Sequence, residues 1–128
     1  MSLTVTSDLL ERARTEKVSD AEFIDCIRNS LPYAWSMVTR LVDELRANGG
    51  AFTANQSVPQ TDEEWGQMFR MMASDAMRNA LQRHFSVRLA FQNCCRVGVF
   101  NPGAADAYNR FTSTEAQLLN QTPELQNC

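Results

Sequence analysis

Residues 61–84, TDEEWGQMFRMMASDAMRNALQRH, carry the longest helix-forming pattern in the chain. Thr61 followed three residues on by Glu64 is a capping box, and Asp62 and Glu63 set negative charge at the positive end of the helix dipole. At about 100° per residue, Trp65, Phe69, Met72, Ala76 and Ala80 fall on one stripe. Met68 flanks it on one side, and Ala73, Met77 and Leu81 widen it on the other. Met71 projects onto the polar face beside Gln67, Ser74, Asp75 and Arg78. So wide an apolar arc predicts a central helix over 62–84, contacted from several sides, with Trp65 and Phe69 deep in the core.

The flanking segments read as helices that cover it. Residues 8–17 form a short first helix with Ser7 as N-cap and Leu9, Leu10 and Ala13 turned inward. Ser19 with Glu22 is a second capping box, Val18 and Phe23 have the spacing of a hydrophobic staple, and Phe23, Ile24 and Ile27 make the apolar face with Cys26 beside it. That helix ends before Pro32, which pushes the residue preceding it out of the α region. Pro32 opens a third helix whose Ala34, Trp35, Val38, Leu41, Val42 and Leu45 recur at three and four, and Gly49-Gly50 stop it. The segment GGAFTANQSVPQ that follows is a long irregular connection, with Phe52 as the residue that pins it down. Beyond Asn101-Pro102-Gly103, a turn that starts a helix, Ala104, Tyr108 and Phe111 make a short apolar face. Thr112 with Glu115 is a third capping box, and residues 122–125 add one turn before the end.

Residues 86–100 support two readings. As a helix, Val87, Ala90, Phe91, Cys94, Cys95 and Val97 share one face, Arg88, Gln92 and Arg96 recur at four on the other, and only Leu89 is misplaced. As a hairpin, Phe91 faces Val97 and Leu89 faces Val99 across a turn at 93–95 that lacks the usual glycine. Periodicity separates short apolar runs poorly, and the helix fits more of the residues. The expected fold is therefore all-α: one domain over 1–128, a compact irregular bundle of five to seven helices around the helix 62–84. The alternative is an α+β fold with a hairpin at 86–100.

A chain of 128 residues, 44% apolar and 21% charged, is that of a single globular domain able to bury a core. It has no run of 18 apolar residues, and its N-terminus lacks the charged-then-apolar order of a signal peptide, so the expectation is a cytoplasmic protein with no membrane partner. Four irregularly spaced cysteines do not make a secreted disulfide scaffold.

Charge is segregated. Residues 1–75 hold twelve acids against seven bases; residues 76–105 hold no acid and four arginines, Arg78, Arg83, Arg88 and Arg96. With Gln92 these define a basic patch, the candidate site for an anion or a partner. Drawn as a helix–turn–helix, Arg88, Gln92, Asn93 and Arg96 are side chains that read base edges, but a net charge of −3 runs against nucleic-acid binding. Cys94-Cys95 is a possible redox pair, and with Cys26 and His84 it reaches four potential metal ligands. The spacing of these residues is not that of a zinc site, and small buried hydrophobes are the commoner fate of such cysteines. A dyad of Cys95 with His84 is the one nucleophile–base arrangement available, and no glycine-rich phosphate loop is present. These features favour a non-enzymatic helical interaction module without metal or cofactor. It associates with itself, as a dimer or larger homo-oligomer, or with an acidic protein partner, with methionines and tryptophans suited to adaptable interfaces.

Overall fold

The computed structural model describes residues 3–120. The third helix, not the one after it, is the element around which the others pack. In chain order the elements are α1 (Ser7–Thr15), α2 (Asp20–Ser30), α3 (Pro32–Asn48), β1 (Phe52–Ala54), α4 (Asp62–Met72), α5 (Asp75–Phe85), β2 (Arg88–Gln92), β3 (Arg96–Phe100), α6 (Ala105–Phe111) and α7 (Thr114–Leu119). The protein is thus mostly helical, with seven helices and a three-stranded antiparallel sheet among the described residues. α3 buries Ala34, Met37, Val38, Leu41, Val42 and Leu45 and touches α2, α4, β1 and β3. Gly49 ends it in the left-handed conformation (φ 63°), where a side chain would be strained. Residues 122–125, where the sequence pattern places one more turn, lie outside the described residues.

The single helix expected over 62–84 is two. Ser74 takes an extended conformation and its side chain accepts from the amide of Met77, an N-cap that starts α5 afresh with Asp75 in its first turn. A serine offering the backbone this local bond competes with helix continuation, and here it wins. The break also changes which face of α4 is buried. Met68 and Met71 are fully buried and Gln67 is 4% exposed, whereas Trp65 is half-buried and Phe69 is 56% exposed. The rotation has a polar cause. Leu31 caps α3 without a side-chain bond, and Gln67 Oε1 supplies what is missing, accepting from the amides of Tyr33 (2.7 Å) and Ala34 (3.3 Å). Bringing Gln67 to the start of α3 carries Met71, one turn on, into the core and turns Phe69 out.

Residues 86–97 are not a helix but the first part of a hairpin, paired in the register Leu89↔Val99, Phe91↔Val97 and Gln92↔Arg96. β1, drawn from the long connection, adds to β3 as Phe52↔Phe100 and Ala54↔Gly98. One sheet face places Leu89, Val97 and Val99 in the core with α3 and α5; the other places Ala54, Ala90 and Phe100 against Ala107 and Phe111 of α6. A sheet covered on both faces loses the apolar–polar alternation that marks a half-exposed strand, which is why helical periodicity fits it. The turn without glycine forms because Cys94 and Cys95 both adopt positive φ (66° and 54°). Such residues cost about 1–2 kcal/mol each. The buried side chain of Asn55 holds them there: Oδ1 accepts from Val97 N (2.8 Å), and Nδ2 donates to Cys95 O (3.1 Å) and Ser57 O (2.9 Å).

The expected capping boxes at Ser19/Glu22 and Thr61/Glu64 are both formed. The third is not: Ser113 caps α7, and the Thr112 hydroxyl donates to Tyr108 O instead. α1 is capped by Thr6 rather than Ser7 and buries no residue fully. No helix among the described residues is long and apolar enough to cross a membrane.

Candidate binding site

On the sheet face turned away from α3, α6 and α7 leave a cavity of about 590 Å³, lined by Phe52, Gln92, Arg96, Ala107, Arg110, Phe111, Ala116, Leu119 and Asn120. Each wall follows from the elements already described. Register sets Gln92 and Arg96 side by side at the tip of the hairpin. Phe52, on β1 beside the other end of β3, stacks on Phe100 with centroids 5.2 Å apart yet stays 43% exposed, so one ring face pins the connection and the other is open. Phe111 meets Phe100 edge-on at 5.3 Å, fixing α6 on the sheet and bringing Arg110 to the rim. Gln92 Nε2 donates to Phe111 O (2.8 Å), and Asn93, next in the turn, is held through its amide by Gln117 Oε1 (3.2 Å) and through its carbonyl by Asn120 Nδ2 (3.0 Å).

The two guanidiniums differ from the other arginines. Arg83 forms a bidentate pair with Asp20 (2.8 and 3.0 Å), the acid from the N-terminal part that the basic tract itself lacks. This hydrogen bonding holds the Asp20 carboxyl below its ordinary range and Arg83 above its own. Arg78 pairs with Asp75 at 2.6 Å. Arg88 lies 3.6 Å over the ring of Tyr108, a cation–π contact. Among the described residues, Arg96 and Arg110 are the arginines whose guanidiniums make no hydrogen bond, ion pair or ring contact, and both line this one cavity. Of the residues singled out in the sequence, the fold therefore gathers Gln92 and Arg96 and places Arg78, Arg83 and Arg88 in separate contacts. Arg110 escapes the sequence reading. It lies outside the acid-free tract, on a helix too short to show periodicity, and no sequence signal marks it.

The cysteines are apart from this chemistry. Cys94 is disulfide-bonded. The Cys95 thiol is fully buried, and desolvation pushes its pKa up to about 11, away from the thiolate that redox or nucleophilic chemistry uses. Cys26 is buried with its sulfur against Thr4 O and Ser30 Oγ. His84 is exposed at the end of α5, its ring against Trp35 and Phe85. No three His, Cys, Asp or Glu side chains converge as a metal site among the described residues.

A family model, KH_NucS_shadow, described as NucS shadow ORF, matches residues 1–128, and the chain belongs to that family. No curated protein and no solved structure matches it.

Proposed function

We propose that this chain is a non-enzymatic protein-interaction module whose sheet-face cavity takes an acidic segment of a protein partner. The observation that carries the proposal is the pair of guanidiniums without partners among the described residues, Arg96 and Arg110, on the rim of a cavity with an aromatic and aliphatic floor. A guanidinium offers a fixed fork of donors matched to a carboxylate, and Phe52, Phe111 and Leu119 offer surface to an apolar side chain between two such acids. Nucleic acid is the poorer fit. It is held by rows of phosphate contacts, and Arg78, Arg83 and Arg88 are already engaged with Asp75, Asp20 and Tyr108 in a chain of net charge −3.

The test is a fluorescein-labelled peptide carrying Glu-Phe-Glu in an alanine–serine frame, titrated with the full chain and read by anisotropy. Two partly solvated charge contacts and one buried ring predict a Kd of about 10–300 μM, rising with salt. Arg96→Ala and Arg110→Ala should each weaken it about 5–10-fold, because contacts of ~1 kcal/mol are lost, with an unchanged melting temperature. Binding that is indifferent to both substitutions, or a single-stranded oligonucleotide that binds far better than the peptide, would count against the proposal.

A further inference from the structure

An acidic, apolar-bearing surface of the kind the cavity calls for is present on the chain itself. On α4, Asp62, Trp65, Gly66 and Phe69 lie within about 100° of one another around the helix axis. Phe69, 56% exposed, stacks on Trp65 with centroids 5.7 Å apart, so the Phe69 ring forms a ridge backed by a Trp65 ring half-buried against the core. Asp62 at the head of the ridge is exposed and has no ion pair among the described residues. The Arg70 guanidinium lies over Gly66 beside the rings, its Nε donating to Gly66 O (3.0 Å).

We propose that a second copy of this chain is the partner: the Asp62–Trp65–Phe69 ridge of one copy enters the Arg96/Arg110 cavity of the next. This rests on the acidic-segment reading of the cavity and names its occupant. Charge complementarity carries it: Asp62 heads the ridge without an ion pair, while Glu63 is held by Arg70 and Gln67 and Glu64 by the helix cap, and the cavity has two guanidiniums with no partner among the described residues. The apolar parts match as well, rings from the ridge against Phe52, Phe111 and Leu119. α4 packs against α3 and α5, whereas the cavity opens on the sheet face covered by α6, so ridge and cavity are different patches of the molecule. The contact joins unlike patches, so it is either reciprocated about a two-fold axis, closing a dimer, or repeated head to tail.

Sedimentation equilibrium of the full chain, from about 1 to 200 μM in low and high salt, tests this. The wild type should gain mass with concentration, less so in high salt. Phe69→Ser with Asp62→Asn (the ridge variant) and Arg96→Glu with Arg110→Glu (the cavity variant) should each remain monomeric alone. Their equimolar mixture should form a heterodimer and stop there, because one intact ridge and one intact cavity remain. A monomeric wild type at the highest concentration, or a mixture that stays monomeric, overturns the proposal. So does a cavity variant that melts far below the wild type, which would put an acid of the same chain in the cavity. The ridge variant, which keeps the cavity, should still bind the Glu-Phe-Glu peptide. Peptide binding without self-association removes the second copy alone, and loss of both removes the acidic-segment reading with it.

Discussion

The side chain on which the helical layer turns is Gln67. Its Oε1 accepts from the first free amides of α3, Tyr33 at 2.7 Å and Ala34 at 3.3 Å, and its Nε2 donates to Glu63 at 3.2 Å. Gln67→Leu keeps the volume and removes the acceptor. The Ala34 amide is then buried without a partner, at about 1–3 kcal/mol, and the partly buried Tyr33 amide adds about half of that. The leucine returns about 1 kcal/mol in buried apolar area, leaving a net loss of about 0.5–3.5 kcal/mol, with a middle value of about 2 kcal/mol. In a domain of this size the middle value lowers the melting temperature by about 6–10 °C. Gln67→Glu retains an acceptor at the helix N-terminus, where negative charge is favoured, but sets it beside Glu63, so its loss should be smaller and should shrink as pH falls and the two carboxyls protonate. Urea unfolding followed by far-ultraviolet circular dichroism, with a thermal melt beside it, measures both. A Gln67→Leu protein within about 0.5 kcal/mol of wild type would show that α3 needs no cap from α4. Gln67 would then not be the reason that Phe69 lies outside and Met71 inside.

Two further outcomes follow from the sheet. A Cβ on Gly98 would lie 2.7 and 2.9 Å from ring atoms of Phe100 and 3.1 Å from Phe111, so Gly98→Ala should cost about 1–3 kcal/mol by overpacking. Phe111→Leu added to it should recover part of that loss in a thermal melt, and a Gly98→Ala protein more stable than wild type would contradict the packing described. With its pKa pushed to about 11 from an ordinary 9.0, Cys95 should carry roughly a hundredfold less thiolate than a free cysteine at pH 8. Iodoacetamide should accordingly leave it unlabelled in the native protein and modify it readily in urea, as read by peptide mass spectrometry. Native labelling at the rate of an exposed thiol would refute its burial.

What is legible in the sequence is what local chemistry decides. Ser19 with Glu22, Thr61 with Glu64, Pro32 and Gly49 bound helices at the expected places, because a cap is a bond between residues three or four apart. Phe52 pins the long connection as expected, though by joining a sheet rather than a loop. What is not legible needs a partner from elsewhere. The stripe on 62–84 treats any apolar face as equally free to turn inward, but a glutamine required 34 residues away at the start of α3 sets the rotation. The hairpin register is readable once strands are assumed, and helical periodicity outweighs that assumption because α6 covers the sheet face that would otherwise be polar. For the site, charge and spacing single out Gln92 and Arg96, while Arg110 arrives through the ring contacts of its neighbour Phe111, which no charge count reveals.

The strained turn and the cavity are linked through the same kind of distant partner. Two consecutive non-glycine residues at positive φ are a poor hairpin tip on their own, at about 1–2 kcal/mol each. They persist because Asn55, from the far strand's connection, satisfies the amide of Val97 and the carbonyl of Cys95 with one buried side chain. Gln117 and Asn120 hold Asn93 from the other side of the tip. The tip is thus clamped between the 49–60 connection and α7, and the clamped residues are those that flank Gln92 and Arg96. Without these amide side chains, the turn would relax toward a shape that needs no positive φ, and Arg96 would lose its fixed place opposite Arg110. The polar residues buried here, Asn55, Gln92 and Asn120, contribute little apolar area to the core. Their contribution is to position: they hold the long connection and a glycine-free turn as one edge, from which Arg96 meets the cavity that Arg110 of α6 also lines.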